Sequence, residues 1–199
     1  MAADHERRFG GVARLYGEVG AHKIFQAHVT VVGIGGEAYG QAKVIAMAER
    51  IRQINPDCKI NYIEDFVTLE NLDEIFAKPS DFIVDAIDQT RIKAGMIAHC
   101  RKKSIPIIVA GAAGGQFDPT RIQIADLSQT TQDPLLARVR SILRKEYGFT
   151  RDTKKKFSVP AIFSTEQLRY PETNTTCSTE NTGPAGLNCA GFGSSVCVT

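Results

Sequence analysis

The sequence predicts an α/β domain built on a mostly parallel sheet flanked by helices, with an irregular C-terminal extension, and three observations carry that prediction. Short β-branched runs recur along the chain, amphipathic stretches of helical period separate them, and glycines follow directly on two of the runs. Strands that alternate with helices in this way pair in parallel, because each helix supplies the crossover. At 199 residues, 43% of them hydrophobic and 23% charged, the chain is sized for a single domain over 1–199 with one core.

The elements follow in order. His28-Val-Thr-Val-Val-Gly33 reads as a buried strand ending in glycine. From Gln41 to Asn55, Val44, Met47, Ala48, Ile51 and Ile54 make one apolar helical face, which Pro56 terminates. Cys58 to Ile63 returns to strand character. Thr68 is placed to cap a short helix carrying Leu69, Leu72, Ile75 and Phe76, and Asp81-Phe-Ile-Val-Asp85 is a third strand. Arg91 to Lys103 is helical again, Ile105 to Ala110 is a fourth strand running into Gly111-Ala-Ala-Gly-Gly115, and Arg121 to Ala125 makes a fifth. Asp133-Pro134 opens a helix, the acid as cap and proline at the first helical position, leading into Leu135, Leu136, Val139, Ile142 and Leu143. Beyond Thr150 the pattern weakens into loops, with one strand around Val159 to Ser164.

Bulk properties exclude several classes of function. A formal net charge of +2 gives no global attraction to nucleic acid, so such a contact needs a local patch. The charged N-terminus lacks the apolar centre of a signal peptide, and no stretch stays apolar for the roughly 18–20 residues of a membrane span. An intracellular, cytoplasmic protein is expected, with its five cysteines reduced. Cys177, Cys189 and Cys197 crowd the tail, but their spacing fits no standard zinc module.

Two constellations can carry chemistry. Gly33-Ile-Gly35-Gly36 lies where a strand turns towards a helix, and glycine there lets backbone N–H groups approach a phosphate. Read locally, Gly33-x-Gly35-x-x-Ala38 matches the fingerprint of a Rossmann-like dinucleotide site, with Glu64 or Asp65 as ribose ligand and an NAD(P) oxidoreductase as the consequence. Against it, the acid follows about thirty residues on instead of ~20, and no hydride-transfer site is evident. A glycine turn without a ligand is the plain alternative. The second constellation, Asp85-Ala-Ile-Asp88-Gln-Thr-Arg91-Ile-Lys93, sits at the C-terminal end of a strand, where open α/β sheets bind ligands. Its carboxylates could hold magnesium on a triphosphate, or merely cap the next helix.

Seven segments occur in one order: Arg8-Phe-Gly-Gly-Val-Ala-Arg-Leu-Tyr-Gly17, Val31-Val-Gly-Ile-Gly-Gly36, Met47-Ala-Glu-Arg-Ile-Arg-Gln-Ile-Asn-Pro56, Asp85-Ala-Ile-Asp88, Gly114-Gly-Gln-x-Asp-Pro119, Gln132-Asp-Pro-Leu135 and Phe163-Ser-Thr-Glu166. Together they resemble the tRNA threonylcarbamoyladenosine dehydratase branch of the ubiquitin-activating, ThiF and MoeB superfamily, from about Arg7 to Thr199. The resemblance implies adenylation of the free carboxylate of threonylcarbamoyladenosine by ATP, then displacement of AMP by a neighbouring atom of the same modification, with net loss of water. It matches Lys43 to the family lysine on the ATP phosphates, Asp88 to the aspartate associated with ATP and Mg2+, and Gly33, Gly35 and Gly36 to the start of the glycine loop. It implies no covalent cysteine. A homodimer is common among such relatives, while a monovalent cation site and a sulfur-relay partner are identified by no residue of this sequence. Arg138, Arg140, Arg144 and Lys145, or Lys154 to Lys156, are candidate contacts to the tRNA backbone, with a solvated face as the alternative.

The chain also departs from the family pattern. There the glycine loop continues into a complete helix, a second strand ending in ribose-binding acids, and a segment with Asn and Arg that reaches the triphosphate. Here Gly36 is followed at once by Glu37-Ala-Tyr-Gly40-Gln-Ala-Lys43, which in the family lies beyond all of those. An interior strand and its helix bury several apolar side chains at about 1.5–3 kcal/mol each, comparable with a whole domain stability of about 5–15 kcal/mol. The expectation is therefore that the working protein contains the segment after Gly36, a shortened inactive relative being the alternative. Gly191 to Thr199 likewise stops within what the family continues as an apolar helix.

Overall fold

The protein is described by a computed structural model over residues 2–34 and 40–168. Its elements are α1 (Ala2–Gln26), β1 (Val29–Val32), α2 (Lys43–Ile54), α3 (Leu72–Ile75), β2 (Phe82–Asp85), α4 (Thr90–Lys103), β3 (Ile107–Ala110), β4 (Ile122–Asp126), α5 (Pro134–Glu146) and β5 (Pro160–Ser164). The five strands form one sheet in the order β1-β2-β3-β5-β4, with β1, β2, β3 and β5 parallel and β4 antiparallel to β5. The α/β architecture and mostly parallel sheet are those the sequence predicts.

Alternation along the strands gives the sheet two unequal faces. One carries Val32, Ile83, Asp85, Ile107, Val109, Ala161 and Phe163, all buried. Ala94, Met96, Ile97 and Cys100 of α4 and Leu136, Val139 and Leu143 of α5 join them in one core. The other face is less well covered: Val29 and Val31 are 49% and 51% exposed, and Ile124 is 69% exposed.

Local signals explain the boundaries. Asp133 caps α5 by accepting from Leu136 N at 2.8 Å, with Pro134 in the first turn, as the sequence implies. α4 ends at Ser104 in the left-handed conformation, with Arg101, Lys102 and Lys103 in its last turn facing the negative end of the helix dipole. β1 and β2 are tied at their start, where Asp81 N donates to His28 O and His28 N donates to the Asp81 carboxylate, both at 2.8 Å.

Three expectations need correction. Cys58 to Ile63 forms no strand; the segment has no ladder partner, and Tyr62 and Ile63 stay 48% and 44% exposed. Strand propensity alone does not order a strand without a neighbour to hydrogen-bond. The short helix begins at Leu72 with Asn71 as its N-cap, because Thr68 and Asn71 exchange side-chain to backbone hydrogen bonds of 2.8 and 3.3 Å and hold the chain in a turn until Asn71. The N-terminal region, given no element from sequence, is helical through α1, with non-helical backbone at Gly17 (φ 73°). Arg8 on α1 donates to Ile54 O at 2.9 Å, docking the C-terminal end of α2.

Candidate active site

The C-terminal ends of β1, β2 and β3 bring the singled-out segments to one end of the sheet. Gly33 closes β1 with φ +87°, and a Cβ there would stand 2.7–2.9 Å from the backbone of Ala86 and Ile87. Only glycine fits, on both conformation and space. The first glycine of the loop is thus packed against the turn that leads to Asp88. Gly35 and Gly36 lie outside the described residues, as does Ala38 of the dinucleotide fingerprint.

Asp85 and Asp88, three residues apart, have opposite environments. Asp85 is fully buried, its Oδ1 accepting from Lys93 Nζ at 2.8 Å and from Ile87 N at 3.1 Å. Lys93, also fully buried, donates in addition to Asp85 O at 3.3 Å. Burial drives the Asp85 carboxyl above its ordinary range and the Lys93 ammonium below its own, with their mutual attraction opposing both shifts. The pair clamps the end of β2 to the first turn of α4 and fixes the 86–88 turn between them. Asp88 is exposed, and among the described residues its carboxylate has no hydrogen-bond or ion-pair partner. It does not cap α4, whose N-cap is Gln89 without a side-chain bond. Its negative charge does reach Lys93, as does that of Asp133.

Lys43 is the first residue of α2 and is exposed, likewise without an ion pair among the described residues. Asp88 and Gly33 share the end of the sheet through the 85–88 turn. Lys43 has no contact that ties it to them among the described residues.

Two further carboxylates organise this end of the sheet, and the sequence had given them smaller roles. Besides capping α5, Asp133 accepts from Ala112 N at 2.8 Å and packs where a side chain on Gly111 would collide with it. Burial raises the Asp133 pKa against the backbone bonds that lower it. Glu166 accepts from Phe117 N at 3.1 Å and Asp118 N at 3.0 Å, and Ser164 Oγ lies 3.2 Å from it, so Phe163-Ser-Thr-Glu166 holds Gly114-Gly-Gln-x-Asp-Pro119 in place. Of Asp85, Asp88, Asp133 and Glu166, three are bound to protein, and the Asp88 carboxylate has no partner among the described residues.

The described residues include two free cysteines. Cys100 is buried, its thiol pushed up to about 11 by burial first and by Asp85 second. Cys58 is exposed, and Cys177, Cys189 and Cys197 lie outside the described residues. The described residues hold no group of three or more His, Cys, Asp or Glu able to cage a metal, and no described helix is long and apolar enough to cross a membrane. Glu64 and Asp65, the ribose ligands of the dinucleotide reading, fall in the unpaired segment after Ile63, with Asp65 bonded to Phe66 N at 2.7 Å.

Comparison with known proteins agrees with this geometry. The ThiF family profile matches residues 37–163. The tRNA threonylcarbamoyladenosine dehydratase of Haemophilus influenzae is 41% identical over 98% of this chain and 88% of its own length. Its Escherichia coli counterpart is 40% identical over 97% and 88%. Structures of the E. coli enzyme, TcdA, in complex with ATP and with AMP superpose with TM-scores of 0.79 and 0.78 at 40% identity, each covering 83% of this chain and 84% of that one. A parallel sheet with a glycine turn and a free aspartate at its C-terminal end, and near-full-length identity of this order, show that the chain belongs to the ThiF family, in its tRNA threonylcarbamoyladenosine dehydratase branch.

Proposed function

We propose that this protein is an ATP-dependent tRNA threonylcarbamoyladenosine dehydratase. A carboxylate oxygen of the modification attacks the α-phosphorus of ATP, the bond to the β-phosphate oxygen breaks, and pyrophosphate leaves. An atom of the same modification then attacks the acyl carbon, losing a proton as AMP departs, so that one water is removed overall. A carboxylate is a poor electrophile until its oxygen becomes a good leaving group, which is what adenylation supplies. The observation that carries this reading is the unpartnered carboxylate of Asp88, beside the Gly33 turn, in a chain 40–41% identical to enzymes of that name.

Gly33, Gly35, Gly36, Lys43 and Asp88 are the residues proposed to receive ATP, with Lys43 and Asp88 at the reacting phosphates. One free carboxylate without a protein cage suits Mg2+, which binds through one or two carboxylates together with substrate phosphates. Asp88 would hold it; Asp85 is occupied by Lys93. The ion supplies neutralisation of phosphate charge. The glycine turn positions backbone donors, and Lys43 contributes a mobile cation. A cytoplasmic homodimer suits the reading, supported by Leu15, Tyr16 and Val19 of α1, which are 60–73% exposed. Neither a monovalent cation nor a sulfur-relay partner is supported by any residue described above.

The alternative is an inactive relative that still binds tRNA. It is favoured by the short path from Gly36 to Lys43 and by the alignment with the H. influenzae enzyme, which runs over 235 positions although this chain has 199 residues. At least 36 positions of the relative are therefore without a counterpart. The half-open face at Val29 and Val31 and the unpaired segment at Cys58 to Ile63 are what a sheet missing one strand and one helix would leave exposed. The test is incubation with ATP and tRNA carrying threonylcarbamoyladenosine. AMP formed in step with loss of one water from the modified nucleoside supports the enzyme; tRNA binding with no AMP supports the inactive relative. An intact mass above 21.7 kDa would mean that the purified protein contains the segment.

A further inference from the structure

The C-terminal half of α5 borders a cavity of about 340 Å³ lined by Ala137, Arg140, Ser141, Arg144, Lys145 and Arg151. Four of these six side chains are cationic and none is acidic. Among the described residues none of the four forms an ion pair; the one acid of this stretch of helix, Glu146, faces Arg91 at 3.5 Å. Two of the guanidiniums are held in advance of any ligand. Arg140 donates through Nη1 to Thr130 Oγ1, a buried hydroxyl that in turn donates to Leu127 O at 3.2 Å. Arg144 donates through Nε to Thr150 O at 3.3 Å and lies 5.3 Å above the Phe157 ring, which leaves its Nη groups unspent. The loop from Arg151 to Phe157 meets the helix through Arg151 and through Phe157 beneath Arg144, and it adds the exposed Lys154, Lys155 and Lys156 together with one exposed acid, Asp152.

Like charges gathered on one surface repel one another, and half-burying one of them adds a desolvation cost. Both act on Arg140, whose pKa is lowered by burial first and by Arg144 second. An anion in the cavity would reverse both, and the fixed guanidiniums would lose little entropy on binding it. The width of the strip, with cations on α5 and along the following loop, suits a repeating anion better than an isolated one.

We infer that the surface formed by Arg140, Arg144, Lys145 and Arg151, continued by Lys154 to Lys156, binds the phosphate backbone of tRNA away from the nucleotide-binding end of the sheet. This rests on the reading of the protein as a tRNA-modifying enzyme. Backbone contacts position an RNA without reading its sequence, so the surface serves any tRNA of the substrate class.

The test is the affinity of the full chain for a fluorescently labelled tRNA transcript across a salt series, for the unchanged protein, for Lys145→Glu/Arg151→Glu, and for Lys59→Glu/Lys78→Glu. The last pair carries the same change in net charge on exposed residues outside the surface. Expected is a loss of affinity of ten-fold or more for the first variant, with its salt slope reduced by roughly 1.4–1.8, at about 0.7–0.9 per phosphate contact. The control variant should lose less than two-fold, and both should melt within a degree or so of the parent. If the unchanged protein binds tRNA and both variants lose affinity equally, or neither does, the surface is overturned and the enzyme reading stands. If the unchanged protein binds no tRNA at all, both fall.

Discussion

Replacing Lys93 with methionine would remove one charge from a fully buried pair while keeping most of the side-chain volume. In the intact protein Lys93 Nζ lies 2.8 Å from Asp85 Oδ1, and Asp85 Oδ2 has no hydrogen-bond partner. Without Lys93 the carboxylate keeps only the Ile87 N–H, and breaking such a pair costs about 3–5 kcal/mol. That is a large share of a domain stability of about 5–15 kcal/mol. Removing both ends of the pair, as in Asp85→Leu/Lys93→Met, takes away the uncompensated charge and should restore most of the loss, less about 1 kcal/mol for the orphaned Ile87 N–H.

The loss should depend on pH with a definite sign. Burial raises the Asp85 pKa, and Lys93 supplies the two largest opposing effects, so the single variant pushes that pKa higher still. A carboxyl whose folded pKa lies above its unfolded one, near 3.9, takes up a proton on folding. Its stabilisation is complete below the unfolded value and is lost as pH rises through the folded one, at about 1.4 kcal/mol per pH unit within that window. Urea unfolding followed by circular dichroism at pH 5 and pH 8 measures it: Lys93→Met should fall furthest behind the parent at pH 8. A deficit below about 1 kcal/mol at pH 8, or one equal at both pH values, would refute the clamp as described here.

Three other outcomes follow from the same geometry. Asp88→Asn should lower AMP formation on modified tRNA by about two orders of magnitude or more while shifting stability by under about 0.5 kcal/mol, since its carboxylate is exposed and unbonded; equal losses in both would make Asp88 structural. Gly33→Ala places a Cβ 2.7 Å from Ala86 C at φ +87°, so destabilisation of about 2 kcal/mol is expected in thermal melting, and an unchanged Tm would show that the turn relaxes freely. Asp133→Ala removes the bonds to Leu136 N and Ala112 N and should cost about 2 kcal/mol, whereas Asp133→Asn should recover part of it by keeping one acceptor.

Much of the site is scaffold and little of it is free. Asp85, Asp133 and Glu166 belong to motif segments that the family resemblance would let one take for catalytic. Each is spent on protein: Asp85 on Lys93 and Ile87 N, Asp133 on Leu136 N and Ala112 N, Glu166 on Phe117 N and Asp118 N. Asp88 differs from Asp85 by one turn of chain, and its carboxylate is exposed and has no partner among the described residues. Substitutions at these positions should therefore separate into those that unfold the protein and those that silence it.

The sequence by itself determined the alternation of strands and helices, the Asp133-Pro134 helix start, the glycine that must close β1, and the Asp85-Ala-Ile-Asp88 segment as the candidate ligand end of a strand. These are local: a cap, a φ angle or a periodicity is written in neighbouring residues, and the family segments keep their order along the chain. The tertiary structure decided the rest. Cys58 to Ile63 has the composition of a strand and forms none, because a strand exists only against a neighbour that can take its hydrogen bonds. Asp85 and Asp88 read alike in sequence, and burial beside Lys93 assigns one to the scaffold while exposure leaves the other to chemistry. Arg140, Arg144, Lys145 and Arg151 become one surface only when the chain after α5 folds back across the helix, because charge acts through space and sequence records only its order.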